Sequence, residues 1–271
     1  MKKKTFFSTA LVLLIISSPA IGQVKSTAPR VQLPNGWFLS PAGRSFTLGD
    51  LPLNMAVTKS GRYMAVSNNG QSDQSIQLID PLKEKVLDSA SIPKAWYGLQ
   101  FSADEKTLYA SGGNDNWILQ YTIKANKLVL TDSINLGDKW PVKISPAGMA
   151  LDDAARKLYI VTKESNELYV VNLATKQIIQ KLALPDAAYT CLLSADKSKL
   201  YISIWGARQV AVYDTRKQQL SGNIKVGENP NEILLSKNGK WLYVACAGDN
   251  AVSVIELAKQ RVAEVLTASL Y

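Results

Sequence analysis

The chain contains no histidine among its 271 residues. That absence removes the Ser-His-Asp triad, the Cys-His pair, histidine zinc sites and histidine-ligated haem. Any chemistry would rest on carboxylates, lysine, tyrosine or a carboxylate-bound metal. Cysteine is scarce as well, with Cys191 and Cys246 alone. Basic residues are scattered over strands and turns without a cluster or stripe, which argues against nucleic acid as a partner. Net charge is +9, or +6 without the lysines at positions 2, 3 and 4. No low-complexity tract interrupts the chain.

Only one apolar run stands out, Phe6 to Ile16, and it is too short to span a bilayer comfortably. Lys2, Lys3 and Lys4 precede it, and Ala20-Ile21-Gly22 places small residues where a signal peptidase reads. Residues 1–22 therefore read as a Sec-type signal peptide cleaved before Gln23, followed by a linker over 23–35. The expected location is periplasmic or secreted, with no transmembrane anchor once the signal is removed.

The rest of the chain is repetitive. Leu108-Tyr109, Leu158-Tyr159, Leu200-Tyr201 and Leu242-Tyr243 recur, with Arg62-Tyr63 as a weaker first copy. The intervals between these tyrosines are 46, 50, 42 and 42 residues, the length of one four-stranded propeller blade. Each pair follows a tight turn, such as Lys59-Ser60-Gly61-Arg62 or Lys237-Asn238-Gly239-Lys240. Each is followed by a β-branched or aromatic run, such as Val210 to Asp214 or Val252 to Glu256. No helical apolar period is sustained after the signal. Ten residues before each tyrosine stand Leu53, Leu99, Met149, Cys191 and Ile233, and three after it stand Val66, Gly112, Thr162, Ile204 and Cys246. Both cysteines thus fall at inward positions and read as buried free thiols rather than a disulfide.

These residues resemble the YVTN-repeat propellers of the YncE-like family. The motif appears as Leu158-Tyr159-Ile160-Val161-Thr162 and as Leu242-Tyr243-Val244-Ala245 continuing to Asn250, Val252 and Val254. The expected fold is an all-β propeller over residues 36–271, with five full blades and an N-terminal half blade. The half blade is expected as strands over 36–41 and 44–49. Measured against a seven-bladed ring the chain is expected to be truncated; the alternative is a divergent ring closing with five or six blades. The opening Leu33-Pro34-Asn35-Gly36-Trp37 and Ser40-Pro41-Ala42-Gly43 is similar to the N-terminal propeller of exported bacterial proteins. In those, an alkaline-phosphatase-superfamily phosphoesterase domain follows the propeller.

In such a propeller, the loops between blades and those between second and third strands share one face. The residues falling there are Trp96, Tyr97, Asn114, Asp115, Trp117, Trp140, Lys143, Tyr189, Trp205, Arg208, Asn229, Asp249 and Asn250. Four of the six tryptophans lie in this set, and amphipathic aromatic residues among amides suit a glycan or peptide ligand. Against that, loop Asn and Asp commonly fix turns, and tryptophan can wedge between blades. Three functions follow as expectations. The first is a non-catalytic scaffold without cofactor, binding a glycan, a peptide or an envelope protein. The second is the propeller portion of a phosphoesterase. The third is a lactonase-like enzyme with a metal on Asp115, Glu228 and Asp249, disfavoured because their repeat registers differ.

Overall fold

In this computed structural model, residues 31–39 and 45–267 are described. The signal-peptide reading over 1–22, the linker to position 30 and the segment 40–44 lie outside the described residues. No helix among the described residues is long and apolar enough to cross a membrane. The chain divides into two units, residues 1–46 and 47–271.

In the first unit, β1 (Val31–Gln32) pairs antiparallel with β2 (Phe38–Leu39). Pro34-Asn35-Gly36 forces the reversal: the Asn35 side-chain Oδ1 accepts from the Trp37 N–H at 3.1 Å, and Gly36 adopts φ +84°. The expected strand pair of 36–41 with 44–49 is therefore corrected. The partner of Phe38–Leu39 lies before the turn, and residues 45–49 carry no strand. Gly49 N–H bonds instead to the side chain of Gln77 at 2.9 Å.

The second unit holds five four-stranded antiparallel blades, each a meander in chain order. Blade one is β3 (Pro52–Val57), β4 (Met64–Asn68), β5 (Ser75–Asp80) and β6 (Lys85–Ser91). Blade two is β7 (Leu99–Phe101), β8 (Thr107–Ser111), β9 (Trp117–Lys124) and β10 (Lys127–Asn135). Blade three is β11 (Pro146–Asp152), β12 (Lys157–Thr162), β13 (Glu167–Asn172) and β14 (Gln177–Ala183). Blade four is β15 (Ala188–Leu193), β16 (Lys199–Ile204), β17 (Gln209–Asp214) and β18 (Gln219–Lys225). Blade five is β19 (Pro230–Leu235), β20 (Trp241–Cys246), β21 (Ala251–Glu256) and β22 (Arg261–Thr267).

The turns explain why each copy folds alike. Between first and second strands, a hydroxyl clamps the hairpin. Thr107 N–H donates to Ser102 Oγ, Lys199 N–H to Ser194 Oγ and Trp241 N–H to Ser236 Oγ, each at 3.0 Å. The same serines donate to Asp104, Asp196 and Asn238 two residues on. After the third strands, Asp80, Asn172 and Asp214 each accept from two following backbone N–H groups. These Asx turns hold the next residues for the reversal into the fourth strand.

The Leu-Tyr pair has a structural cause. Successive side chains of a strand point to opposite faces. In the second strand of a blade, the leucine therefore packs on the preceding blade and the tyrosine on the following one. Leu108 joins Tyr63 and Ala65 in the core between blades one and two. Tyr109 joins Leu158 and Ile160 between blades two and three. Tyr159 joins Leu200 and Ile202 in the next core, and Tyr201 joins Leu242 and Val244 in the last. All four leucines are fully buried; each is worth about 1.5–3 kcal/mol relative to exposure. In blade five the tyrosine, Tyr243, is only half-buried, and Leu234 and Leu266 are exposed. Cys191 and Cys246 are both buried and unbridged.

First strands of all five blades line one channel of about 360 Å³, with Asn54, Leu99, Met149, Cys191 and Glu232 among its walls. Successive blades come close where Gly98 faces the Ala147 carbonyl and Gly148 faces the Thr190 backbone; a Cβ at either glycine would collide.

Candidate aromatic binding site at the end of the channel

Tyr97 leads into β7 and lies against the channel, where its carbonyl accepts from Asn54 Nδ2 at 2.7 Å. Tyr189, on β15, meets it with ring centroids 4.5 Å apart and a tilt of 58°. Each stands twelve residues before its blade's motif tyrosine, Tyr109 or Tyr201. The equivalent place in the intervening blade is Ala147. Its small side chain leaves the two rings free to meet across blade three.

These tyrosines form part of a cavity of about 150 Å³, completed by Leu53, Trp96, Lys163, Ala188 and Trp205. Trp96 is half-buried and Trp205 is 40% exposed, so the cavity opens to solvent on an aromatic rim. A second cavity of about 290 Å³ shares Trp96 and Lys163. Its other walls are Asn69, Gln74, Lys94, Ala95, Gly113, Asn114, Ser145 and Glu164. Lys163 Nζ lies 5.4 Å from the centroid of the Trp96 ring, within the reach of a cation–π contact. Burial pushes the Tyr189 phenol above its usual range, so it stays neutral at neutral pH.

The structure therefore gathers Trp96, Tyr97, Asn114, Tyr189 and Trp205, from three loops and the start of β15, around two adjoining cavities. The remaining residues of the sequence-defined face have other positions. Trp117 packs against the core between blades one and two, and Lys139 lies 4.5 Å from its ring centroid. Its Nε1 is buried without a hydrogen-bond partner. Trp140 is exposed, with Lys143 Nζ 5.4 Å from its ring. Asp115 belongs to a single 3₁₀ turn, Gly113–Asp115. Arg208 forms an ion pair with Glu228. Asn229 reaches the Trp205 carbonyl at 3.4 Å, and Asp249 accepts from the Glu228 N–H at 2.7 Å. Asn250 takes a left-handed turn at φ +50°. Of these last four, Arg208 lies in the β16–β17 turn, Asn229 in the loop before β19, and Asp249 and Asn250 in the β20–β21 turn. No three Cys, Asp or Glu side chains converge as a metal site among the described residues.

Sequence reading did not single out Lys163. The signal was present: Lys163 and Trp205 each lie four residues after their motif tyrosines, at the same place in successive copies. Asn116, just before β9, is a buried anchor. Its Nδ2 donates to the Asp138 and Val142 carbonyls at 2.6 and 2.7 Å. Its Oδ1 accepts from the Ile144 and Ser145 N–H groups at 3.3 and 2.9 Å. One side chain thus fixes the 137–145 loop beside the site.

Residues 30–269 match the profile of the YNCE-like beta-propeller. The chain belongs to the YncE-like β-propeller family. Among solved structures, a functionally unknown protein from Desulfotomaculum acetoxidans DSM 771 aligns with a TM-score of 0.68 at 14% identity. That alignment covers 88% of this chain and 77% of the other. Kuenenia stuttgartiensis hydrazine synthase aligns with a TM-score of 0.64 at 17% identity, over 79% of this chain and 65% of that one. Both likenesses concern the fold. No curated protein matches the YncE-like chain.

Proposed function

We propose that this YncE-like propeller is an exported, non-catalytic binding protein of the bacterial envelope, and that its ligand sits on the aromatic cavity at the channel end. The observation carrying this reading is the convergence of Trp96, Tyr97, Tyr189 and Trp205 from blades two and four on one solvent-open cavity. Aromatic side chains with one face packed and one face wet are typical of binding surfaces. A chain without histidine also lacks the commonest general base. The amino-terminal pattern of residues 1–22 supports export.

The test is intrinsic tryptophan fluorescence of the full chain, titrated with a panel of oligosaccharides and short peptides. At least one class should give saturable quenching, weakened about tenfold or more in Trp96→Ala and Trp205→Ala. Trp140→Ala, outside the cavity, should bind normally. Binding unaffected by either cavity substitution would sink this site. Periplasmic fractionation of the producing cell tests the export half.

A second reading rests on Leu33-Pro34-Asn35-Gly36-Trp37, which resembles the start of propellers joined to phosphoesterase domains. In the structure this segment forms the turn between β1 and β2, closed by Leu33 N–H to the Trp37 carbonyl at 2.7 Å. Under that reading, the aromatic cavity positions substrate or partner for a catalytic domain. A phosphoesterase reading frame contiguous with this gene, its product co-purifying with the propeller, would favour it.

A further inference from the structure

We infer that the ligand of this face is an anionic sugar, a pyranose bearing a carboxylate or a phosphate. The inference rests on the binding site proposed above and specifies its chemistry.

The two cavities differ in character. The smaller is walled by aromatic rings and aliphatic carbons. The larger is polar, and its hydrogen-bonding capacity is lopsided. The Gln74 side-chain oxygen is occupied by the Ala95 N–H at 2.5 Å, which fixes the orientation of that amide. The Asn114 side-chain oxygen is occupied by the Ser145 hydroxyl at 2.9 Å. In both amides the oxygen already accepts one hydrogen bond within the protein, and the NH2 group makes none to another described residue. An amide in that state offers two unused N–H donors and one remaining lone pair. Lys94 and Lys163 add two ammonium groups, donors only. Glu164 is the one carboxylate on the wall.

A lining rich in donors recognises a ligand rich in acceptors. Charged acceptors are favoured, because charge-assisted hydrogen bonds are the stronger ones. Two ammonium groups against one carboxylate point the same way. Trp96 and Lys163 line both cavities, so one ligand can stack a ring on Trp96 and direct an anion toward Lys94 and Lys163. Apolar ring faces beside hydroxyls and an acidic group describe an acidic sugar. An acidic peptide would satisfy the lysines but would bring backbone N–H donors to a wall with more donors than acceptors.

The experiment is isothermal titration of the full chain with digalacturonate, its dimethyl ester and glucose 6-phosphate. Digalacturonate should bind about tenfold more tightly than the ester, the combined worth of two exposed charge contacts. That advantage should shrink as salt rises from about 0.05 to about 0.5 M. Lys94→Gln and Lys163→Gln should each weaken digalacturonate by about threefold to fivefold and the ester by clearly less. Comparable binding of glucose 6-phosphate would assign the anion requirement to phosphate as well as carboxylate; its failure beside digalacturonate would restrict it to carboxylate. Lys94 is exposed, and circular dichroism of both variants checks the fold. Equal affinity for acid and ester would overturn the anion while leaving the aromatic site standing. Binding of Asp/Glu-rich peptides but of no sugar would overturn the sugar. Ligands bound without any effect of Trp96→Ala or Trp205→Ala would remove the underlying site itself.

Discussion

Tyr97 and Tyr189 are in contact, ring centroids 4.5 Å apart, although they belong to blades two and four. Blades that are not neighbours meet here because blade three contributes Ala147 at the equivalent place. Gly98 and Gly148 reinforce the closeness, since each lets one first strand approach the backbone of the next. The pair couples the channel to the aromatic cavity, Tyr97 lining both.

A double-mutant cycle on Tyr97→Ala and Tyr189→Ala should return a coupling of about 0.5–1.5 kcal/mol, the range for tilted aromatic pairs. Urea unfolding monitored by circular dichroism measures it. Strict additivity of the two losses would mean that the rings contribute only through burial. Ala147→Leu should separate them by overpacking, at a cost of about 1–3 kcal/mol.

Asn116 should be the costliest polar side chain to remove near the site. It is fully buried and makes four hydrogen bonds to the 137–145 loop. It also holds φ +58°, a backbone angle that suits Asn and Gly. Asn116→Gly keeps that angle and removes the bonds, so it isolates them. The expected loss is about 2–3 kcal/mol, set by the stranded backbone groups. Limited proteolysis should then cut within 137–145 before elsewhere. An unchanged urea midpoint together with an intact loop would contradict this role.

The blades were legible because their cause is local and periodic. The Leu-Tyr alternation records which side chain faces which neighbouring blade, and the Ser/Thr and Asx turns repeat at fixed offsets. The first strand pair was harder. Its register depends on which side of Pro34-Asn35-Gly36 each strand lies, and a two-residue strand has no periodicity to read. The cavity was legible only in part. Trp96, Tyr97 and Trp205 fall in loops and Tyr189 at a strand start that the topology brings together, but Trp140 is in a loop and Trp117 at a strand start as well. Whether a loop tryptophan faces the cavity, the core or solvent is decided by contacts such as Asn116 with the 137–145 loop, which no spacing reveals.

Both thiols should resist modification in the folded protein. Cys191 packs in the core between blades three and four, Cys246 in that between blades four and five. Burial also pushes the Cys191 thiol far above its usual range, which suppresses the reactive thiolate. Titration with a chromogenic disulfide reagent should find no reactive thiol in buffer and two in guanidinium. Rapid labelling of Cys191 in the native state would show that the core between blades three and four opens.

Acid should weaken the hairpins before the cores. Asp214 ends β17, where Lys199 Nζ lies 2.6 Å away, and the Arg216 and Lys217 N–H groups donate to it at 3.0 and 2.9 Å. The Lys199 contact is the main reason that its carboxyl is held down at about 2, against an ordinary 3.8. Asp196 is held at about 2 as well, chiefly by the Ser194 and Ser198 hydroxyls. A carboxyl depressed in the folded state stabilises the fold above its unfolded value. The contribution is lost as pH falls toward the folded value, here between about pH 4 and about pH 2. Asp214→Asn keeps part of the turn and removes the charge. Its urea midpoint should fall below that of the parent at pH 6, and the two should converge near pH 2. A gap between them that persists unchanged to pH 2 would assign the role of Asp214 to shape rather than charge.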